Sequence, residues 1–280
     1  MADNYINVTP LNVSNEDIYN EYYQKLNFKM HVATCIIISI GLPLTLMTIS
    51  ALYSLVRKDH VAPIYVINLL ISDLIQLCCM IVFETRQYQP QAEALFIYEC
   101  GLVTSVFFMV CVSLERYLII AHPLWYRFKR TIKISVVVSV VIWLIPPVFF
   151  ITVLPQVTYD VAGIIFSIFL IIPFPLFIIF LVGTLRALSA SVSVHSEEKQ
   201  RIVGVLVLVL LIYTLLFLPS MILFLNINRS DKTLNYLSFM FVKMSPLADL
   251  ILYVFFRKQS IGKLFTTVNC CRVANTDNNI

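Results

Sequence analysis

A chain of 280 residues that is 59% hydrophobic and only 13% charged, with a mean hydropathy of +0.86, carries more apolar surface than a soluble domain of that length can hide. This excludes a soluble globular protein and leaves an integral membrane protein. The net charge of +4 then reports membrane topology rather than nucleic-acid binding.

Apolar segments lie near residues 30–56, 62–85, 95–120, 132–154, 161–185, 202–226 and 234–256, each long enough to cross a bilayer as a helix. They are rich in Leu, Ile, Val and Phe with no alternating polar pattern, which argues against the ten-residue strands of a β-barrel. The expected architecture is an all-α membrane protein, a seven-helix bundle. Basic residues stay on the cytoplasmic side, and fourteen of the twenty Lys and Arg fall on one face, including Arg57, Arg116, Arg127, Lys199 and Arg257. The N-terminus is therefore expected outside and the C-terminus inside.

Residues 1–29 are polar and are expected to form a flexible outer tail, with no removable signal peptide. Asn7-Val8-Thr9 and Asn12-Val13-Ser14 are glycosylation acceptors on that tail. The first span contains Gly41-Leu42-Pro43, where the proline predicts a kink. The second carries Asn68 and Asp73, a carboxylate near mid-membrane. An unpartnered charge there costs about 3 kcal/mol or more, so Asp73 must be neutral or face ions, water and polar groups.

The third span closes in Glu115-Arg116-Tyr117, an acid–base pair where a membrane helix meets water, followed by His122-Pro123-Leu124 and a basic cluster. Trp143 lies midway along the fourth, and the fifth contains Pro173 and Pro175, which leave its register open between two prolines. The loop from Ala187 to Gln200 offers Ser189, Ser191, Ser193 and Ser196 to kinases. The sixth span holds Tyr213, Phe217 and Pro219, the proline predicting a bend. The seventh carries Lys243, Ser245, Asp249 and Tyr253, and beyond it Phe255 to Phe265 has the pattern of a short amphipathic helix on the inner leaflet. Cys270-Cys271 is then either a palmitoylation pair or two plain cytosolic thiols. The remaining cysteines, Cys35, Cys78, Cys79, Cys100 and Cys111, lie within spans.

These runs, spaced along the whole chain after the tail, resemble the motifs of rhodopsin-like (class A) G-protein-coupled receptors: Asn68 to Asp73 on the second helix, Glu115-Arg116-Tyr117 on the third, Trp143 on the fourth, Pro219 on the sixth and Asp249 to Tyr253 on the seventh. The resemblance implies a seven-transmembrane bundle with a short amphipathic eighth helix, divided as outer tail 1–29, bundle 30–256 and cytoplasmic end 257–280. It implies a non-enzymatic plasma-membrane receptor that passes binding of an extracellular, non-aminergic ligand such as a lipid or peptide to a heterotrimeric G protein. Glu115, Arg116, Tyr117, Leu124 and Tyr253 would serve coupling and activation, with Phe217 and Pro219 as the hinge. Glu84, Tyr98, Glu99, Phe224 and Lys243 would line the ligand pocket; Tyr98 stands where amine receptors carry Asp. Asp73, Ser105, Ser245 and Asp249 match the positions that hold an allosteric sodium ion, the alternative being a carboxyl pair that shares a proton. No other cofactor is implied, and lipids are the remaining partners.

The chain departs from the family's pattern. Thr45 replaces an Asn, Leu216 and Phe217 replace Cys and Trp, Leu250 replaces Pro, the fifth-helix Tyr is missing at Leu181 and Gly183, and Lys199 stands where many relatives place an acid that holds Arg116. The usual outer disulfide has no loop cysteine. The short outer loop and missing hinge Trp resemble the MAS-related group, and the inner motifs resemble nucleotide and lipid receptors. Lys243 has the spacing of the opsins' retinal lysine, so a light sensor is one alternative, beside a Glu84–Lys243 ion pair or a Lys243 that holds a ligand's anionic group. Proton sensing finds little support, since only His31 lies near the outer side. A receptor-like protein that no longer signals is another alternative, as are an intramembrane aspartyl enzyme using Asp73 and Asp249, which lacks the Gly-rich partner motif, and a transporter, which lacks an inverted repeat.

Overall fold

In lipid every backbone N–H and C=O must find its partner within the protein, and an α-helix does this without help from neighbours. The computed structural model describes residues 10–58, 64–85, 92–122, 132–190, 196–225 and 232–254. They form α1 (Pro10–Lys58), α2 (Ile64–Thr85), α3 (Ala92–Ala121), α4 (Ile132–Val153), α5 (Tyr159–Ile171), α6 (Pro173–Ala190), α7 (Ser196–Leu225) and α8 (Lys232–Lys243), with a further helical run over 245–254. Among the described residues seven spans are long and apolar enough to cross a membrane, the fifth built from α5 and α6 and the seventh from α8 and 245–254. The amphipathic helix expected after the seventh span lies outside the described residues.

Both divided spans break at prolines. Pro173 has no N–H to donate, so α5 closes with the Ile172 N–H on the Ile168 carbonyl at 3.1 Å and α6 restarts with Pro173 in its first turn, where the missing donor costs nothing. Pro246 does the same to the seventh span. The Met244 N–H is shared between the carbonyls of Met240, at 3.2 Å, and Phe241, at 3.1 Å, and the helix resumes at Ser245.

At its first end α1 differs from the flexible tail expected over residues 1–29: it is helical from Pro10. Pro10 stands in the first turn, and Glu21 accepts from Lys25 one turn later at 2.7 Å. That hydrogen bond and the ammonium's charge hold the exposed Glu21 carboxyl below its ordinary value. The expected loop from Ala187 to Gln200 is likewise helical over 187–190 and 196–200. Ser189 bonds the Leu185 carbonyl instead of standing in a loop.

The middle of the bundle is α3, which packs against α2, α4, α5, α6 and α7. Its residues Gly101 to Val106 are all buried, as befits a helix apolar on every side. By contrast α4 leaves Val136, Val137, Val140, Leu144, Val148 and Ile151 exposed along one face, the stripe a lipid-facing helix needs. Its other face is anchored. The Trp143 Nε1–H donates to Asn68 Oδ1 at 2.9 Å while its ring lies 6.1 Å from that of Phe108. Phe149 and Phe150 pack edge-on against Phe169 at 4.9 and 5.9 Å, closing the fourth span onto the fifth.

Candidate functional site

At the foot of α3, Glu115 is buried and Arg116 half-buried, and both are engaged by other groups. The Tyr117 ring stacks on Phe180 at 5.9 Å and meets His122 edge-on at 6.2 Å. It lies directly over Gly183, on the segment where the family's fifth-helix Tyr is missing. Tyr253 is buried in the main apolar core with Leu250 and Leu252. Leu124 lies outside the described residues, as do Asn7, Cys270 and Cys271, and Asn12 falls in the first turn of α1 with its side chain outside the described residues.

Halfway along, Asp73 of α2 and Asp249 of the seventh span are fully buried and near enough to interact. Gln76 Nε2 donates to Asp73 Oδ1 at 3.4 Å. Asp73 Oδ2, both oxygens of Asp249 and the Ser245 hydroxyl have no well-formed hydrogen bond among the described residues. Ser105 donates to the Leu102 carbonyl at 2.9 Å, which leaves its oxygen free to accept. Each orphaned buried oxygen costs about 1–3 kcal/mol. The four side chains offer oxygen donors of the type a small hard cation takes. Thr45, where the family's Asn is missing, is also buried, its hydroxyl without a hydrogen bond among the described residues.

The expected hinge is packed tight. Phe217 is fully buried, its ring 4.9 Å from Tyr213, which in turn meets Phe177 at 5.0 Å. Pro219 sits inside α7, and the next residue, Ser220, donates to the Ser238 carbonyl at 3.2 Å, tying the sixth span to the seventh beside the bend.

At the other end of the bundle, Lys243 and Glu84 are brought together. The Lys243 ammonium donates to Thr34 Oγ1 at 3.1 Å and lies 3.9 Å from Glu84 Oε1. The second Glu84 oxygen pairs with His31 Nδ1, and His31 Nε2 lies 3.8 Å from Cys35 Sγ. Tyr98 is buried nearby, edge-on to Phe83 at 5.9 Å and packed with Leu77 and Met80, its hydroxyl without a hydrogen bond among the described residues. Glu99, next on α3, is half-buried. Phe224 stands in the last turn of α7, but its side chain lies outside the described residues. Sequence reasoning assigned no site role to His31, Thr34 or Cys35. The signal available was their spacing of three and four residues, which puts all three on one face of a helix.

The cysteines of the spans, Cys35, Cys78, Cys79, Cys100 and Cys111, are all free.

Comparison with known proteins agrees with this architecture. The family model of the seven-transmembrane receptors (rhodopsin family) matches residues 44–253. The chain is 29% identical over 117 residues to human G-protein coupled receptor 68, covering 38% of this chain and 32% of that one. It is 33% identical over 119 residues to the type-1 angiotensin II receptor of Gallus gallus, covering 39% and 33%. With the proteinase-activated receptor 2 of Rattus norvegicus it shares 28% identity over 229 residues, covering 67% and 56%. The matched regions thus span about a third to just over half of these relatives. From the model match over most of its length, the chain belongs to the rhodopsin family of seven-transmembrane receptors.

Proposed function

We propose that this chain is a plasma-membrane receptor, N-terminus outside, that couples an extracellular non-aminergic ligand to a heterotrimeric G protein. The observation that carries the reading is a polar column through an otherwise apolar bundle: Lys243 with Glu84 at one end, Asp73 with Asp249 midway, and Arg116 at the other end. Along α3, Tyr98 and Arg116 stand about 27 Å apart, close to a full bilayer core.

Lys243 is the natural partner for an anionic group on the ligand, such as a lipid or peptide carboxylate, because its present partners are a hydroxyl and a carboxylate at the long distance of 3.9 Å. One charge-assisted hydrogen bond contributes about 1.5–3 kcal/mol. Inverting a two-state population from 1:99 to 99:1 needs about 5.5 kcal/mol, so the ligand must also make contacts that differ between the states. Asp73, Ser105, Ser245 and Asp249 would hold a sodium ion, whose charge offsets the two carboxylates. Loosening that cluster, with the bend at Pro219, would let the sixth span swing and free Arg116 for the G protein.

Arg116→Ala should abolish basal or ligand-driven nucleotide exchange in membranes from expressing cells while surface expression persists. Unchanged exchange would count against coupling through this foot. No exchange by the native chain, across G-protein classes and across lipid, peptide and nucleotide panels, would favour a receptor-like protein that no longer signals.

A further inference from the structure

We propose that His31, Cys35 and Glu84 form a binding site for a transition-metal dication of the zinc type, at the seam between the first and second spans. His31 and Cys35 stand one turn apart on the same face of α1, and Glu84 reaches them from α2. One donor atom from each residue lies within 4.8 Å of the other two. In tetrahedral zinc sites the bonds are about 2.0–2.3 Å, which sets donors about 3.3–3.8 Å apart. One nitrogen of His31 binds the metal, whereas Glu84 now sits on Nδ1 and Cys35 Sγ stands 3.8 Å from Nε2, so the triangle closes by turning the His31 ring together with the Cys35 and Glu84 side chains.

The donor set selects the metal. A thiolate and an imidazole are poor ligands for sodium, magnesium or calcium, and good ones for zinc and its neighbours. Three protein donors leave a fourth position open to water or to a donor from a ligand. Access is direct. His31 and Cys35 line a shallow open recess with Val32, Ile36 and Ser39, and the side chains of His31 and Glu84 are 44% and 18% exposed. Among the described residues this is the one cluster of three such donors.

The site also touches the pocket. Glu84 offers one oxygen to the metal and the other to Lys243, so a metal on the first oxygen draws carboxylate charge away from the ammonium. Lys243 keeps its bond to Thr34 when the metal takes Glu84. An occupied metal site therefore leaves Lys243 freer to bind an anionic group. The metal site stands on its own donor geometry, and its test involves no nucleotide exchange, so its failure would leave the receptor reading as it is.

The test uses the full chain purified into nanodiscs, with Zn²⁺ titrated against a chromogenic chelator and Co²⁺ as a spectroscopic probe. Bound Co²⁺ should give a thiolate-to-metal charge-transfer band in the near ultraviolet, and Cys35→Ser should remove it. His31→Ala and Glu84→Gln should each weaken Zn²⁺ binding tenfold or more, while Cys78→Ser, an exposed thiol elsewhere, should change nothing. Metal-free thermal unfolding checks that each variant is folded, and His31→Asn replaces His31→Ala if the latter is not. The proposal is overturned if the native chain shows no charge-transfer band, if Cys35→Ser keeps it, or if Zn²⁺ affinity is the same in the native chain and the three variants.

Discussion

The ring of Tyr117 on α3 fills the space that a side chain at position 183 of α6 would occupy: a Cβ on Gly183 would stand 2.6 Å from Tyr117 Cε2 and 3.3 Å from Cδ2 and Cζ. Real Cβ atoms do not come that close, so the two positions are coupled. Gly183 interrupts a membrane helix at a cost of about 1 kcal/mol relative to alanine, which the packed tyrosine offsets. Gly183→Ala alone should be neutral or destabilising by about 1–3 kcal/mol, because the ring must leave Phe180. In a Tyr117→Ala background the same change should stabilise by about 0.5–1 kcal/mol. Thermal unfolding of the purified variants gives the double-mutant cycle, and strict additivity would refute the contact.

The orphaned oxygens of Asp73, Ser245 and Asp249 suit either a sodium ion or a carboxyl pair sharing a proton, and added sodium separates the two. Replacing choline by sodium at constant ionic strength should raise the unfolding temperature of the purified chain by a few degrees, since a ligand that binds only the native state stabilises it by mass action. Asp73→Asn and Ser245→Ala should each remove the increment. If the native chain melts at the same temperature in both salts, the proton-sharing alternative stands.

Trp143 tests how much the fourth span owes to one polar bond. Trp143→Phe keeps an aromatic ring near Phe108 but deletes the donor to Asn68 Oδ1, at a cost of about 1–2 kcal/mol. At about 2–4 °C per kcal/mol for a chain this long, the melting temperature should fall by roughly 2–8 °C. In an Asn68→Ala background, where the acceptor is already gone, the same substitution should cost less than half as much.

Phe217 stands where the resembled family places Trp, and restoring the larger residue should not help. The site is fully buried against Tyr213, so Phe217→Trp should overpack it and destabilise by about 1–3 kcal/mol. Phe217→Ala should leave a cavity and cost about 3–5 kcal/mol. A melting temperature raised by Phe217→Trp would mean that the cluster of Phe177, Tyr213 and Phe217 holds unfilled space.

Some of this was legible without coordinates because it is local. Pro173 and Pro246 have no N–H wherever they sit, so the breaks at Ile172 and Met244 follow from them, although neither was read from the sequence as a break. The helical start of α1 at Pro10 was not legible, since the polar composition of residues 10–29 suits a solvated helix as well as an irregular tail. The outer cluster was half legible. A Glu84–Lys243 pair was among the readings of the sequence, yet His31 and Thr34 entered only once α1 was laid beside α2 and α8. Gly183 marked an absence in sequence, and in the fold it is the seat of Tyr117.

By itself the amino-acid order settled that the chain lies in a membrane as seven helices, because the free energy of putting a segment into lipid depends on that segment's own length and side chains. It also carried the spaced motifs that mark the family. Only the tertiary structure decided which polar groups meet: His31 with Glu84 across 53 positions, Lys243 with Thr34 across 209, and Tyr117 over Gly183. Those pairings depend on how helices are rotated and offset against one another. That is set by packing summed over the whole bundle, which no single segment encodes.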